Sequence, residues 1–272
     1  MAEERTREQK EIEDRTAPPG HVVYHAIHRE GEHELQRSSW GLAWSGLAAG
    51  LSLGFSIVTQ ALLRTHLPEA HWAPLVSRVG YTVGFLMVIL GRQQLFTENT
   101  LTPILPLLTK KRASVGLNVA RLWAIVLVTN IVGGFAYVAL IAHSSMFNGD
   151  MQAAFAQIGR EAMPPGIGSG ILLGIFAGWL LALMVWLLPF AESARVWVIV
   201  IISYLVGLGG FSHVIVGSME VFYLVTTSEM SFLAFLGQYF APTLLGNVLG
   251  GVSLVALLAH AQFIAPEDKA NE

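Results

Sequence analysis

Apolar residues in this chain are collected into six segments, each long enough to cross a lipid bilayer. A membrane-spanning helix needs about 20 consecutive, mostly apolar residues. The segments cover approximately residues 41–63, 79–108, 117–142, 166–187, 196–224 and 242–264. The pattern therefore predicts an all-α membrane protein with six transmembrane helices.

The second and fifth segments are interrupted at matching places in the two halves of the chain. The first interruption is Leu-Phe-Thr-Glu-Asn at residues 95–99, and the second is Gly-Gly-Phe-Ser-His at residues 209–213. Backbone N–H and C=O groups at membrane depth must be satisfied, so a broken helix survives only inside protein or beside a polar cavity. Two such breaks are typical of the permeation site of a transporter or channel.

Other segments also repeat between the halves. The third and sixth segments share the motif Asn-x-x-Gly-Gly, at Asn130, Gly133 and Gly134 and at Asn247, Gly250 and Gly251. The first and fourth share glycines at short helical spacing, at Gly46, Gly50 and Gly54 and at Gly166, Gly170, Gly174 and Gly178. Glycine permits close helix packing by itself, but packing does not predict matched breaks. Three spans per half imply an inverted repeat, with repeat one at about residues 40–142 and repeat two at about 166–264.

The breaks supply the candidate permeation residues. Superposing them on Phe96 and Phe211 pairs Thr97 with Ser212 and Glu98 with His213. Ionisable residues inside a membrane are costly and indicate function. We predict these permeation residues: His213, Thr97, Ser212, Glu98 and Asn99. Apolar side chains are expected to narrow the path: Leu95, Phe96, Phe55 and Phe211.

Glu98 admits two interpretations. It either forms a coupled pair with His213 or caps the helix that restarts at Thr100. The first interpretation places the carboxylate beside the permeation path, and the second places it at the end of a helix.

Composition and charge support the membrane prediction. Hydrophobic residues make up 53% of the chain and charged residues 13%, and there is no cysteine for thiol catalysis, Fe–S ligation or disulfides. With six spans, every Lys and Arg except Arg64, Arg78 and Arg160 lies on the side of the termini. The positive-inside rule therefore predicts cytoplasmic termini. No cleavable signal pattern opens the chain, so we expect the N-terminus to remain attached.

The predicted layout is a cytoplasmic arm at residues 1–39, a channel domain at 40–264 and a tail at 265–272. In the arm, the charge-rich run 3–15 is expected to be a solvated helix or tail. His21, His25 and His28 share one helical face, which makes a metal site one interpretation. An amphipathic helix along the membrane surface or over the pore mouth is favoured, because no carboxylate or Cys completes a compact ligand set. We therefore predict no metal.

Three stretches resemble the formate/nitrite transporter family, and look most like its YfdC-type branch. They are residues 93–100 (Gln-Gln-Leu-Phe-Thr-Glu-Asn-Thr), 212–218 (Ser-His-Val-Ile-Val-Gly-Ser) and 29–35 (Arg-Glu-Gly-Glu-His-Glu-Leu). The resemblance implies an aquaporin-like protomer with broken second and fifth helices, a homopentamer in a bacterial inner membrane, and passage of small weak-acid anions. It also implies that His213 is the central pore histidine, that Thr97 is the threonine of the opposite loop, and that Leu95 and Phe96 form the constriction beside it.

The chain departs from the formate channels of that family at several positions. Ser212 stands where they have an acidic residue before the histidine, and Glu98 stands where they have Ser or Gly after the threonine. The sequence Ala-Gly-Trp at residues 177–179 lies where they have an Asn, and Glu220 adds another acid. A fixed carboxylate beside the path repels an anion unless it is neutral or paired.

The predicted function is a channel or transporter for small monovalent weak-acid anions, with proton transfer at His213 as an added step. A neutral-solute channel of the aquaglyceroporin kind is the alternative. A membrane-embedded enzyme is disfavoured, because the breaks have no second His or Asp at metal-ligand spacing and no nucleophile elbow. The expected partners are the bilayer, the transported anion or acid and copies of the chain itself, with no nucleic acid and no cofactor.

Overall fold

The computed structural model describes residues 19–264, and every regular element within that range is helical. The run 3–15 and the tail 265–272 lie outside the described residues. In chain order the helices are α1 (Gly20–Gln36), α2 (Ser39–His66), α3 (Ala73–Leu90), α4 (Ile104–Lys110), α5 (Ala113–His143), α6 (Gly149–Ala162), α7 (Ile167–Leu187), α8 (Arg195–Leu208), α9 (Val216–Thr226), α10 (Phe232–Gly251) and α11 (Leu258–Ile264). A π-helical segment, Val252–Leu257, joins α10 to α11.

Five helical stretches are long and apolar enough to cross a membrane. They are Ser39–His66, Ala73–Leu90, Ala113–His143, Ile167–Phe190 and Phe232–Gly251. The predicted fifth span is instead divided between α8, with 14 residues, and α9, with 11 residues. Neither is long enough to cross a bilayer alone, because each residue adds only about 1.5 Å. The predicted all-helical class is therefore confirmed, and five of the helical stretches are long and apolar enough to cross a membrane.

Glycines bring the long helices together in two equivalent pairs, α2 with α5 and α7 with α10. A Cβ atom at Gly50 would lie 2.2 Å from the carbonyl oxygen of Asn130. A Cβ atom at Gly178 would lie 2.2 Å from the carbonyl oxygen of Asn247. Any larger residue at either glycine would force these backbones apart.

The remaining helices define the two ends of the molecule. Helix α1 packs on α4 and α11, where Tyr24 Oη and His260 Nδ1 are 2.9 Å apart. We call this end the arm face. Helix α6, which connects α5 to α7, packs against α9 and α2 at the opposite end, the far face. Both interruptions lie between these faces.

Candidate functional site

The two interruptions begin with the same backbone turn. Helix α3 ends where Gly91 N donates to Met87 O at 3.0 Å, and α8 ends where Gly209 N donates to Leu205 O at 2.9 Å. The next residues, Arg92 and Gly210, have φ angles of 52° and 62°, in the left-handed region that commonly ends a helix.

A second hydrogen bond completes each turn. Gln93 N donates to Val88 O at 3.0 Å, and Phe211 N donates to Val206 O at 3.1 Å. The two backbones therefore superpose with Gly91 on Gly209, and the residues that follow stay in that register.

Asn130, which is fully buried on α5, fixes the first interruption. Its Nδ2 donates to Gly46 O at 2.8 Å and to Gln94 O at 2.9 Å, and its Oδ1 accepts from Phe96 N at 2.9 Å. Backbone groups that no helix satisfies are thus paired by one amide, as membrane depth requires.

Asn247, fully buried on α10, holds the second interruption with the same three bonds. Its Nδ2 donates to Gly174 O at 2.9 Å and to Ser212 O at 2.8 Å, and its Oδ1 accepts from Val214 N at 2.9 Å. The Asn-x-x-Gly-Gly motif therefore supplies both the clamp on the break and the glycines that let the helices meet.

These contacts correct the predicted superposition of Phe96 on Phe211. The asparagine clamps place Gln94 opposite Ser212 and Phe96 opposite Val214, so Leu95 corresponds to His213. The sequence alignment was wrong by three residues because it matched aromatic side chains, whereas the register is set by the helix ends.

One side-chain contact joins the two interruptions. Thr97 Oγ1 and His213 Nε2 are 3.0 Å apart, and both residues are buried. The other ring nitrogen, His213 Nδ1, accepts from Val216 N at 3.1 Å. Because a backbone N–H only donates, Nδ1 carries no proton, and Nε2 of the neutral ring is the donor to Thr97. The hydroxyl hydrogen of Thr97 remains free to point elsewhere.

Apolar side chains surround this contact. Leu95 and Phe96 are buried beside Thr97, and Phe96 packs edge-on against Trp123 at 5.8 Å between ring centroids. Phe85 meets the His213 ring edge-on at 5.3 Å. The Thr97 and His213 pair is thus a polar contact enclosed by apolar side chains, and we call this region the constriction.

A cavity of about 760 Å³ lies between this constriction and the arm face. Seven of its sixteen lining residues are charged: Arg29, Arg37, Arg92, Arg195, Glu30, Glu34 and Glu98. Gln94 lines its inner end, where Gln94 Nε2 donates to Glu34 Oε2 of α1 at 2.7 Å. The arm helix thus contacts the first interruption directly.

Glu98 belongs to this cavity, so the predicted pair with His213 is wrong. Both ring nitrogens of His213 are occupied, by Thr97 and by Val216. Glu98 opens a 3₁₀ turn, Glu98–Thr100, but within residues 19–264 no hydrogen bond joins its carboxylate to a helix end. The described residues therefore show neither the pair with His213 nor the helix cap, and a role of Glu98 in permeation stays a prediction.

A small pocket of about 20 Å³ lies on the other side of the constriction, with room for about one water molecule. Ser212 and His213 line its inner end, and Arg78, Glu161 and Glu220 line the rest. Ser212 Oγ is buried and has no hydrogen-bond partner among the described residues. The pocket therefore offers a hydroxyl beside the histidine.

Glu161 of α6 is held by two arginines at the far face. Its carboxylate binds Arg64 and lies 3.1 Å from Arg78 Nη2. Burial acts to raise the pKa of the Glu161 carboxyl, but the hydrogen bond to Arg64 and the charges of Arg64 and Arg78 outweigh it and hold that pKa below its usual range. Glu161 is therefore an ionised clamp between α2, α3 and α6.

Two predicted residues lie away from the cavities. Asn99 lines neither cavity, because its Nδ2 donates to Gln94 Oε1 at 3.0 Å and to Leu95 O at 3.2 Å, which supports the loop. Phe55 is 44% exposed and packs on Tyr137. Phe211 lines the far pocket, and its role in narrowing the path stays a prediction.

The three arm histidines differ in exposure and in their contacts. His21 and His25 are exposed, and His28 Nε2 lies 2.9 Å from Thr109 Oγ1. Within residues 19–264, no three His, Asp or Glu side chains are grouped as metal ligands.

Sequence reasoning missed Gln60, Arg78 and Gln94. Gln60 is fully buried in the middle of an apolar span, and that alone was a signal, because polar groups there need a partner. Arg78 was counted only as a loop charge, and Gln94 only as part of a resemblance motif.

Comparisons with known proteins agree with this geometry. The family described as formate/nitrite transporter matches residues 21–261. The chain is 39% identical over 264 residues to the inner membrane protein YfdC of Escherichia coli (strain K12), across 96% of this chain and 85% of that protein. It is 25% identical over 222 residues to the formate channel BtFdhC of Bacillus thuringiensis, across 78% of this chain and 82% of that protein.

A solved structure of a pentameric formate channel with formate bound is also similar. It aligns with a TM-score of 0.67, covering 83% of this chain and 98% of that chain at 17% sequence identity. At this identity the likeness shows a shared fold.

Proposed function

Because the chain belongs to the formate/nitrite transporter family, we propose that it conducts small monovalent weak-acid anions such as formate or nitrite across a bacterial inner membrane. The observation that carries this proposal is the Thr97–His213 contact, which lies between a cavity open toward the arm face and a pocket that reaches the far face.

The proposed path crosses the constriction in three stages. An anion collects in the arm-face cavity, which four arginines and three glutamates line. Arg37 and Arg92 pair with two of these glutamates, so the anion is attracted by Arg29 and Arg195, which pair with no carboxylate among the described residues. It then loses water beside Leu95 and Phe96, which costs many kcal/mol for an unpaired ion unless donors replace the water. The free hydroxyl hydrogen of Thr97 and the Nε2–H of His213 are such donors.

Proton transfer at His213 is an additional proposal. The neutral ring first takes up a proton at Nδ1, which opens the bond from Val216 N. The imidazolium then gives its Nε2 proton, now held toward Thr97, to the anion, so the ring returns to neutral and the acid continues as a neutral molecule. A neutral acid avoids the desolvation cost that the anion meets in the next apolar stretch.

The six-crossing inverted repeat is part of the same proposal. We infer that α3 with α4 forms the second crossing and that α8 with α9 forms the fifth, because both pairs flank interruptions with the same turn and the same asparagine clamp. A homopentamer is proposed from the likeness to a pentameric channel.

The orientation follows from the positions of charged residues. Arg64, Arg78 and Arg160 all pair with carboxylates of the far face, whereas four arginines line the arm-face cavity. By the positive-inside rule, we propose that the arm face is cytoplasmic.

A neutral-solute channel is the second candidate, favoured by the carboxylates of Glu98 and Glu220 in the two cavities. Proteoliposomes containing the protein, challenged separately with formate, nitrite and glycerol, separate the candidates. We expect formate and nitrite to cross faster than in protein-free liposomes and glycerol to cross no faster. Glycerol flux without formate or nitrite flux would contradict the proposal.

A further inference from the structure

A buried chain of hydrogen bonds links Arg78 to Glu220 beside the far pocket. Arg78 Nη1 donates to Gln60 Oε1 at 2.9 Å, and Gln60 Nε2 donates to Glu220 Oε1 at 2.9 Å. Gln60 is fully buried and Glu220 is 4% exposed. A buried carboxylate is thus held by a neutral amide, with its nearest cation one side chain away.

The charges around this chain are closely balanced. Arg64 and Arg78 carry two positive charges, and Glu161 and Glu220 carry two negative charges when both are ionised. Glu161 is bound directly by both arginines, so its charge is already compensated. Glu220 is the member whose proton decides whether the group is neutral or carries a net positive charge.

Glu220 also lies on the route to the constriction. It lines the same pocket as Ser212 and His213, and the polar groups that face it come from four packed helices. They are Arg64 and Gln60 of α2, Arg78 and Tyr81 of α3, Glu161 of α6 and Tyr239 of α10. An anion that approaches His213 from the far face therefore passes this carboxylate at short range, where a like charge repels it strongly.

We propose that Glu220 is a specificity-determining residue: when ionised it opposes anions in the far pocket, and when protonated it leaves the group of Arg64, Arg78 and Glu161 with a net positive charge that admits them. Gln60 is the positioning residue that holds Glu220 against the pocket wall and couples it to Arg78. If the protein conducts anions as proposed, acid outside the far face increases that conduction by protonating Glu220.

The test is formate flux in proteoliposomes, measured at equal pH on both sides from neutral to mildly acidic. Formate takes up protons equally in every sample, so the ratio of variant to wild-type flux reports the protein alone. We expect Glu220→Gln to exceed wild type by about fivefold to tenfold at neutral pH and to match it at acidic pH. The matched control is Glu229→Gln, which removes a far-face carboxylate that pairs with Arg160 outside the pocket, and it should match wild type throughout.

Two further variants separate regulation from folding. Glu220→Asp keeps the charge and should restore the wild-type pH profile, whereas a merely structural role for Glu220 predicts no such recovery. Gln60→Leu removes the hydrogen-bond donor that stabilises the ionised carboxylate of Glu220. Glu220 should then take up its proton at a higher pH, so the rise in flux on acidification should begin at a higher pH.

Each outcome decides a separate question. A ratio of Glu220→Gln to wild type that is constant with pH overturns the inference while leaving anion conduction intact. Wild-type liposomes that carry neither formate nor nitrite overturn the proposed function and the inference with it. If Glu220→Gln does not assemble, an unshifted pH profile in Gln60→Leu overturns the inference.

Discussion

The two interruptions share one backbone frame but carry different side chains. Both start with a left-handed residue after a helix end, and both are clamped by an asparagine of the same motif. Within that frame Leu95 stands opposite His213, and Gln94 stands opposite Ser212. The repeat therefore preserves the asparagine clamps that hold the two loops, whereas the side chains that the loops present differ on the two sides of the constriction.

The chain also resumes its helix differently after each break. Helix α9 begins at Val216, directly after the second interruption, whereas α4 begins only at Ile104. The looser first stretch turns the carbonyl of Thr102 toward the arm helix, where a Cβ atom on Gly31 would lie 2.0 Å from that oxygen. The arm helix thus packs directly on the backbone of the stretch that follows the first interruption.

The largest predicted effect tests whether the two clamps are equivalent. Asn130→Leu and Asn247→Leu each leave two buried loop backbone groups without a partner, whereas the carbonyls of Gly46 and Gly174 keep the bonds of their own helices. Each unsatisfied group costs about 1–3 kcal/mol. We expect each variant to lose about 2–6 kcal/mol of unfolding free energy, by similar amounts, in detergent denaturation.

Ser253→Ala is the control for the clamps, because within residues 19–264 the Ser253 hydroxyl bonds only to the carbonyl of Leu249, one turn earlier. It should remain near wild type. If one asparagine is tolerated and the other is not, the two interruptions do not share a frame.

The next effect tests where the two interruptions touch. In a double-mutant cycle of Thr97→Val and His213→Gln, the hydrogen bond between them predicts a coupling of about 1 kcal/mol. The matched cycle of Glu98→Gln and His213→Gln should give additive losses, since those residues do not pair. Coupling in the second cycle and not in the first would favour the original superposition of the breaks.

The smallest effect compares the ion pairs of the two faces. Glu161→Gln removes a carboxylate shared by Arg64 and Arg78, which should cost about 0.5–1 kcal/mol after screening by solvent. Glu30→Gln removes the more exposed pair with Arg92 and should cost less.

The pH dependence of the Glu161 effect has a definite sign. Its pKa is lowered in the folded protein, so its stabilisation is present above the pKa of the unfolded chain and is lost as pH falls through the folded value. The difference in melting temperature between wild type and Glu161→Gln should therefore shrink in acid. A difference that grows in acid would contradict the ion-pair account.

The sequence predicted the helical class and the places of both interruptions, because hydropathy and matched motifs report burial directly. The roles it assigned to Thr97 and His213 stay predictions, although the two side chains do meet. The sequence did not predict the register of the interruptions, since aromatic residues are poorer markers of helix ends than a glycine with the turn that follows it. The position of Glu98 was also inaccessible, because the arm cavity is built from segments far apart in the chain. Gln60 and Arg78 were missed because the hydrogen bonds that link them to Glu220 form only when α2, α3 and α9 pack together.

The central claim is that the Thr97–His213 constriction separates two aqueous vestibules, and the absence of cysteine makes it directly testable. Gln94 lines the arm-face cavity, and Ala162 lies where the far pocket meets the far face and is partly exposed. Gln94→Cys and Ala162→Cys, reconstituted in one orientation, should each react with a membrane-impermeant thiol reagent, Gln94→Cys only from the arm face and Ala162→Cys only from the far face. Labelling of both cysteines from the same face would contradict the account, because no barrier would then lie between the two cavities.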